Sequence, residues 1–126
     1  MPFLPLVGNQ TLFEAAVARV APELGFAPPI VVAGARHVAH VEAQLSDAGE
    51  ATIVVEPSAR NTAAAIALAA LRLDADAIML VCPSDHHIAN GEAFRAAARQ
   101  AALLAAEGHL VSFGIEAKRA ETGFGY

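Results

Sequence analysis

The chain has 126 residues, 8 Lys and Arg against 13 Asp and Glu, and a formal net charge of −5. With 56% hydrophobic and 17% charged residues it is not a disordered chain, its acidic balance argues against a duplex-binding module, and its one cysteine forms no internal disulfide. Its apolar runs are too short to span a bilayer, and Met1-Pro2-Phe3-Leu4-Pro5 lacks the basic and long apolar regions of a signal peptide, so the expectation is a soluble cytoplasmic protein.

The elements alternate along the chain. Residues 12–20 read as a helix, with Leu12, Phe13, Ala16, Val17 and Val20 on one face. Asn9 or Thr11 can cap it, and Glu14 stands at capping-box distance from Thr11. Pro22, Gly25, Pro28 and Pro29 mark a loop. Residues 30–33 read as a buried strand, 37–45 as a helix, and the β-branched residues 52–55 as a second strand. A helix rich in Ala and Leu follows over 61–73, then a third strand over 77–82 that Pro83 stops. Residues 92–106 form the longest predicted helix, closed by Gly108, and residues 110–115 a fourth strand. The tail from Glu121 to Tyr126 is turn-like.

Strands alternating with helices predict an α/β fold with a mainly parallel sheet. The apolar runs at 30–33 and 77–82 suit strands covered on both faces. About a quarter of the residues are alanine, which raises the apolar fraction while adding little buried volume. In open α/β sheets ligands bind beyond the carboxyl ends of the strands. The segments 56–62, 83–88 and 116–126 occupy that position and are the places to seek chemistry.

Segment 56–62 runs Glu56-Pro57-Ser58-Ala59-Arg60-Asn61-Thr62 and leads into a helix. Asn61 or Thr62 can cap that helix, and its amino end together with the forked donor of Arg60 can receive a phosphate or a base edge. Ordinary capping beside a surface arginine accounts for the same pattern. Asp85, directly after the third strand, is the best single candidate for a Mg²⁺ ligand, because Mg²⁺ takes one or two carboxylates and completes its shell with water and phosphate. A turn-capping role for Asp85 stays open beside it. His37 and His40, and the adjacent pair His86-His87, lack the Cys pairs or H-E-x-x-H spacing of a zinc site. Cys82 reads as a core residue. Thr122-Gly123-Phe124-Gly125-Tyr126 places two glycines where backbone N–H groups can approach a ligand, or where the chain simply turns. There is no G-x-G-x-x-G or P-loop spacing.

Taken in order, these segments resemble one family. Glu56 to Ala63 is similar to the E-P-x-x-R-N-T-A motif of mannose-1-phosphate guanylyltransferases (GDP-mannose pyrophosphorylases). Pro83-Ser84-Asp85-His86 is similar to that family's P-[AS]-D-H motif. Phe113-Gly114-Ile115 with the stretch from Glu121 to Tyr126 resembles its F-G-I…P-E-T-G-[FY]-G-Y motif. Phe3-Leu4-Pro5-Leu6 resembles the F-L-P-L segment before its first long helix. The four run along essentially the whole chain, nearest in style to the bacterial long form, which is sometimes fused to a phosphomannose isomerase domain.

The resemblance implies a three-layer α/β/α nucleotide-diphospho-sugar transferase fold, Rossmann-like, with a mainly parallel sheet. It also implies transfer of GMP from GTP to mannose 1-phosphate, giving GDP-mannose and pyrophosphate. By position, Asp85 would hold Mg²⁺ as the catalytic carboxylate. Arg60, Asn61 and Thr62 would line the guanine and ribose side, with Glu56 supporting their loop, and Gly123, Gly125 and Tyr126 would shape the sugar pocket. Family members carry a strand and a glycine-rich G-x-G-T-R-L loop, then a P-K-Q lysine, before the F-L-P-L segment, and further sugar-binding residues beyond the G-[FY]-G-Y motif. The expectation is therefore that residues 1–126 are a partial catalytic domain, inactive alone. Its unpaired strand edges would be closed by re-pairing, or by a strand borrowed from a second copy in a homo-oligomer. Two alternatives accompany this expectation: a related transferase using another base or sugar, and a non-catalytic nucleotide-sugar-binding or regulatory module.

Overall fold

The computed structural model describes residues 3–4, 10–46, 49–58, 61–116 and 118. Helix α1 (Leu12–Arg19) begins as its sequence predicts. Thr11 is the N-cap: its Oγ1 accepts the Glu14 N–H at 3.0 Å, and Glu14 Oε1 accepts the Thr11 N–H at 3.1 Å. The pair satisfies two backbone donors that the first turn otherwise leaves open. Thr11 Oγ1 also donates to Gln44 Oε1 at 2.7 Å, and Gln44 Nε2 donates to the Phe3 carbonyl at 3.2 Å. One buried threonine thus ties the helix start to a later helix and to the N-terminal segment.

After a 3-10 turn at Pro22–Leu24, Gly25 takes a left-handed φ of 96° and redirects the chain. Strand β1 (Ile30–Gly34) leads through a second 3-10 turn, Ala35–His37, into helix α2 (Val38–Leu45). Strand β2 (Thr52–Glu56) then pairs with β1 in parallel, in a register that runs from Ile30 opposite Thr52 to Gly34 opposite Glu56. Such a crossover needs a covering helix, and α2 packs on β1. Phe13, Ala33, Val41 and Leu45 form the core on this face, joined by Phe3, Val17, Val31, Ala51 and Ile53. Strand alternation sends Val32 and Val54 to the opposite face. Helix α3 (Thr62–Ala70) packs against both strands. Helices α1 and α2, the parallel pair, and α3 accordingly give the layering of an α/β fold.

Helix α4 (Gly91–Ala106) is capped by Asn90, whose Oδ1 accepts the Ala93 N–H at 3.0 Å, and it ends at Gly108, where φ is 94°. It docks through long side chains: Arg95 Nη1 donates to the Arg19 carbonyl at 3.3 Å and Arg99 Nη2 to the Leu24 carbonyl at 3.4 Å.

Two predicted strands do not form. Among the described residues the sheet holds β1 and β2 only, and residues 77–82 and 110–115 join no ladder. A strand exists through hydrogen bonds to a neighbour about 4.8 Å away, and β propensity supplies no neighbour. Residues 77–82 do not re-pair with β1 or β2 among the described residues. The helix predicted over 61–73 is shorter: α3 stops at Ala70, and residues 71–73 continue in turns whose N–H groups bond the carbonyls of Ala67, Ala69 and Ala70. The turn-like tail from Glu121 to Tyr126 lies outside the described residues.

Candidate active site

The parallel register brings the carboxyl ends of β1 and β2 level, Gly34 beside Glu56. Two cavities open there and share Glu56, Pro57 and Ser58 as a common wall. One, of about 330 Å³, lies between that wall and the Ala64, Ala67, Leu68 and Leu71 side of α3. The other, of about 470 Å³, is bounded by Gly34, Ala35, Arg36 and His37. Both are open to solvent, and both occupy the place where open α/β sheets bind ligands.

The chemistry of the walls differs. The first cavity is mainly apolar, as a face for a ring requires. The second is lined by one cation, Arg36, and one carboxylate, Glu56. No motif marks Arg36, whose signal is its position directly after β1, and His37, weighed above only as a zinc ligand, stands beside it. His37 and His40 both lie against the Phe3 ring, at centroid distances of 5.5 and 5.2 Å, the His40 ring stacked at 16°. They pack the N-terminal segment against α2.

Asn61 occupies the N-cap position of α3 with extended backbone, φ −72° and ψ 166°, and its carbonyl accepts the Ala64 N–H. Its side chain makes no capping hydrogen bond, so the expected capping geometry is present without the expected side-chain bond. Asn61 and Thr62 are exposed at the mouth of the β2–α3 connection. Arg60 lies outside the described residues, as do Gly123, Gly125 and Tyr126.

Asp85 sits in the segment between residue 77 and α4. Its carboxylate is 67% exposed, with Oδ1 3.9 Å from His86 Nε2. It lines neither cavity. Among the described residues no three His, Cys, Asp or Glu side chains cluster as a metal cage. A lone, open, hard oxygen donor fits Mg²⁺ in one way: as the single protein ligand of an ion whose other positions belong to water and substrate phosphates.

The segment carrying Asp85 is held from behind by Arg19, which is only 7% exposed. Arg19 Nη2 donates to the His86 carbonyl at 3.4 Å, and its Cζ lies 5.4 Å from the centre of the Phe94 ring. Burial lowers the Arg19 pKa from its ordinary value, with the Cys82 sulfur opposing the shift and the Arg95 cation adding to it. Burial likewise pushes the Cys82 thiol up, against a smaller pull from Arg19. Cys82 is therefore held as a thiol, in keeping with a packing role. No motif marks Arg19. Its signal was a charged residue one heptad after Leu12, beside the apolar stripe of α1.

The family described as nucleotidyl transferase matches residues 1–126. Among curated proteins, the chain is 46% identical over 129 residues to a xanthan biosynthesis protein of Xanthomonas campestris, covering 98% of this chain and 27% of that one. It is 40% identical to a mannose-1-phosphate guanylyltransferase of Sinorhizobium fredii, over 98% of this chain and 25% of that one. It is 41% identical to a mannose-1-phosphate guanylyltransferase of Escherichia coli, over 98% and 27%. The chain spans about a quarter of the length of the curated relatives it matches. No solved structure matches it.

Proposed function

The chain belongs to the nucleotidyl transferase family, and from that premise we propose that the protein carrying these residues transfers GMP from GTP to mannose 1-phosphate. The observation that carries this reading is the joint placement of the Glu56-Pro57-Ser58 motif. It resembles the guanylyltransferase motif in sequence and forms the shared wall of both cavities at the strand ends. Relatives named as mannose-1-phosphate guanylyltransferases at 40–41% identity along the same residues support the choice of substrates.

In the proposed reaction a phosphate oxygen of mannose 1-phosphate attacks the α-phosphorus of GTP. That P–O bond forms as the bond to the departing pyrophosphate breaks. Such transfer depends on alignment and on neutralising charge. Asn61, Thr62 and the amino end of α3 offer donors for the nucleotide. Arg36, facing the larger cavity, supplies positive charge that the chain's net balance lacks. Arg60, next to Asn61 in sequence, is assigned to the nucleotide, and Gly123, Gly125 and Tyr126 to the sugar. Asp85 is the residue to hold Mg²⁺, which when bound would offset phosphate charge. Its exposure leaves room for the shared ligands that Mg²⁺ requires.

The test is pyrophosphate release from GTP, ATP, UTP and dTTP, each with mannose 1-phosphate, by the full-length protein. GTP is expected to give the highest kcat/KM by at least about tenfold, the discrimination worth roughly one good hydrogen-bonded contact. Equal rates with all four, or a preference for another base, would reject the guanine assignment. No release with any of them would reject catalysis in favour of a binding module.

A further inference from the structure

We propose that Arg19 is a positioning residue for the loop that carries Asp85, a role that rests on the reading of Asp85 as the metal-holding carboxylate. Arg19 ends α1, outside both cavities. Yet Arg19, buried as a residue, pairs with no carboxylate among the described residues. A desolvated cation without a counter-ion is costly unless its surroundings replace the lost water. Here the replacements are the His86 carbonyl at 3.4 Å and the face of Phe94 at 5.4 Å.

Those partners explain where the cation acts. The accepting carbonyl belongs to the residue after Asp85, so the hydrogen bond fixes the backbone from which the carboxylate projects. Phe94 lies in the first turn of α4 and meets Phe113 at 6.1 Å, while Arg95, the next residue, bonds the Arg19 carbonyl at 3.3 Å. Arg19 therefore joins α1, α4 and the Asp85 loop at one point. Among the described residues, no strand ladder supports the loop from residue 77 onward. The Arg19 hydrogen bond is a tie from a different element. A carboxylate that shares its cation with a mobile substrate gains from a fixed backbone, since the ligand's orientation is then set in advance.

The experiment uses the full-length protein labelled with ¹⁵N-histidine. The His86 amide reports the loop, and the His40 amide in α2 serves as the reference. In Arg19→Met the His86 order parameter is expected to fall from about 0.85 to below about 0.6, with His40 unchanged. The Mg²⁺ concentration for half-maximal turnover is expected to rise roughly 10- to 100-fold, with kcat at saturating Mg²⁺ kept within about threefold. Arg19→Lys, which keeps the cation and one donor, restores most of both. Phe94→Leu removes the ring under the guanidinium but leaves its donors, and is expected to give a smaller shift of the same kind even if Arg19→Met fails to fold. An unchanged His86 order parameter in both Arg19→Met and Phe94→Leu would overturn the proposal. So would a fall in kcat with no change in the Mg²⁺ response. Asp85→Asn in parallel separates the two claims. An unaltered Mg²⁺ response there removes the metal reading and the proposal with it. An unaltered response confined to the Arg19 variants removes the proposal alone.

Discussion

Thr11 shows how much one short side chain can hold. Its Oγ1 accepts the Glu14 N–H and donates to Gln44, which in turn fixes the carbonyl of Phe3. The first contact is readable from sequence, because T-x-x-E at a helix start has a fixed geometry. The second is not, because 33 residues separate Thr11 from Gln44 and only the packed α2 brings them together. Thr11→Ala removes both at a buried position. The expected loss is about 1–2 kcal/mol, read as a lower urea midpoint with an unchanged slope. Thr11→Ser keeps the hydroxyl and should lose much less. Equal losses in the two variants would show that the methyl group, not the hydrogen bonds, carries the effect.

At the scale of elements, the helices were legible and the sheet only half so. Apolar spacing in α1 and α2 and the Gly108 end of α4 are local signals, and each is met in the structure, while the Asn90 cap starts α4 one residue earlier than expected. Strands β1 and β2 form because they are neighbours with a helix of eight residues to span the crossover. Residues 77–82 and 110–115 carry equally good strand composition and join no ladder among the described residues. Leu110 and Ile115 are fully or almost fully exposed there. Pairing is a relation between segments, and no single segment encodes it. The candidate site divides in the same way. Its motifs were visible as residue strings. That Glu56, Pro57 and Ser58 wall two cavities while Asp85 stands apart required the fold. The end of α4 offers a clean test of a local signal. Gly108 donates to the Ala105 carbonyl at 2.9 Å from a left-handed conformation, and an added Cβ would meet no atom within 4 Å. Gly108→Ala should therefore cost only backbone strain, about 1 kcal/mol, and lower Tm by roughly 4–8 °C. Gly114→Ala, where the space is also open and no left-handed φ is needed, should leave Tm unchanged. A similar fall in both would rule out the conformational explanation.

The molecule as a whole is a layered core built on one parallel pair, with a second region tied to it through Arg19, Arg95 and Arg99. Among the described residues no helix is long and apolar enough to cross a membrane. The nucleotidyl transferase family supplies the frame in which the strand-end cavities and the exposed Asp85 carboxylate make chemical sense together. The net charge of −5 does not count against the proposed nucleotide, because phosphate charge can be met locally rather than by the overall field. The proposal that matters most is that Asp85 holds the Mg²⁺ of a guanylyl transfer reaction. Its most direct test is the rate of GDP-mannose formation from GTP and mannose 1-phosphate across a Mg²⁺ titration, in the full-length protein and its Asp85→Asn variant. Removing the charge is expected to lower the rate about a hundredfold or more at physiological Mg²⁺. An Asp85→Asn enzyme with the parent's rate and the parent's Mg²⁺ dependence would contradict it.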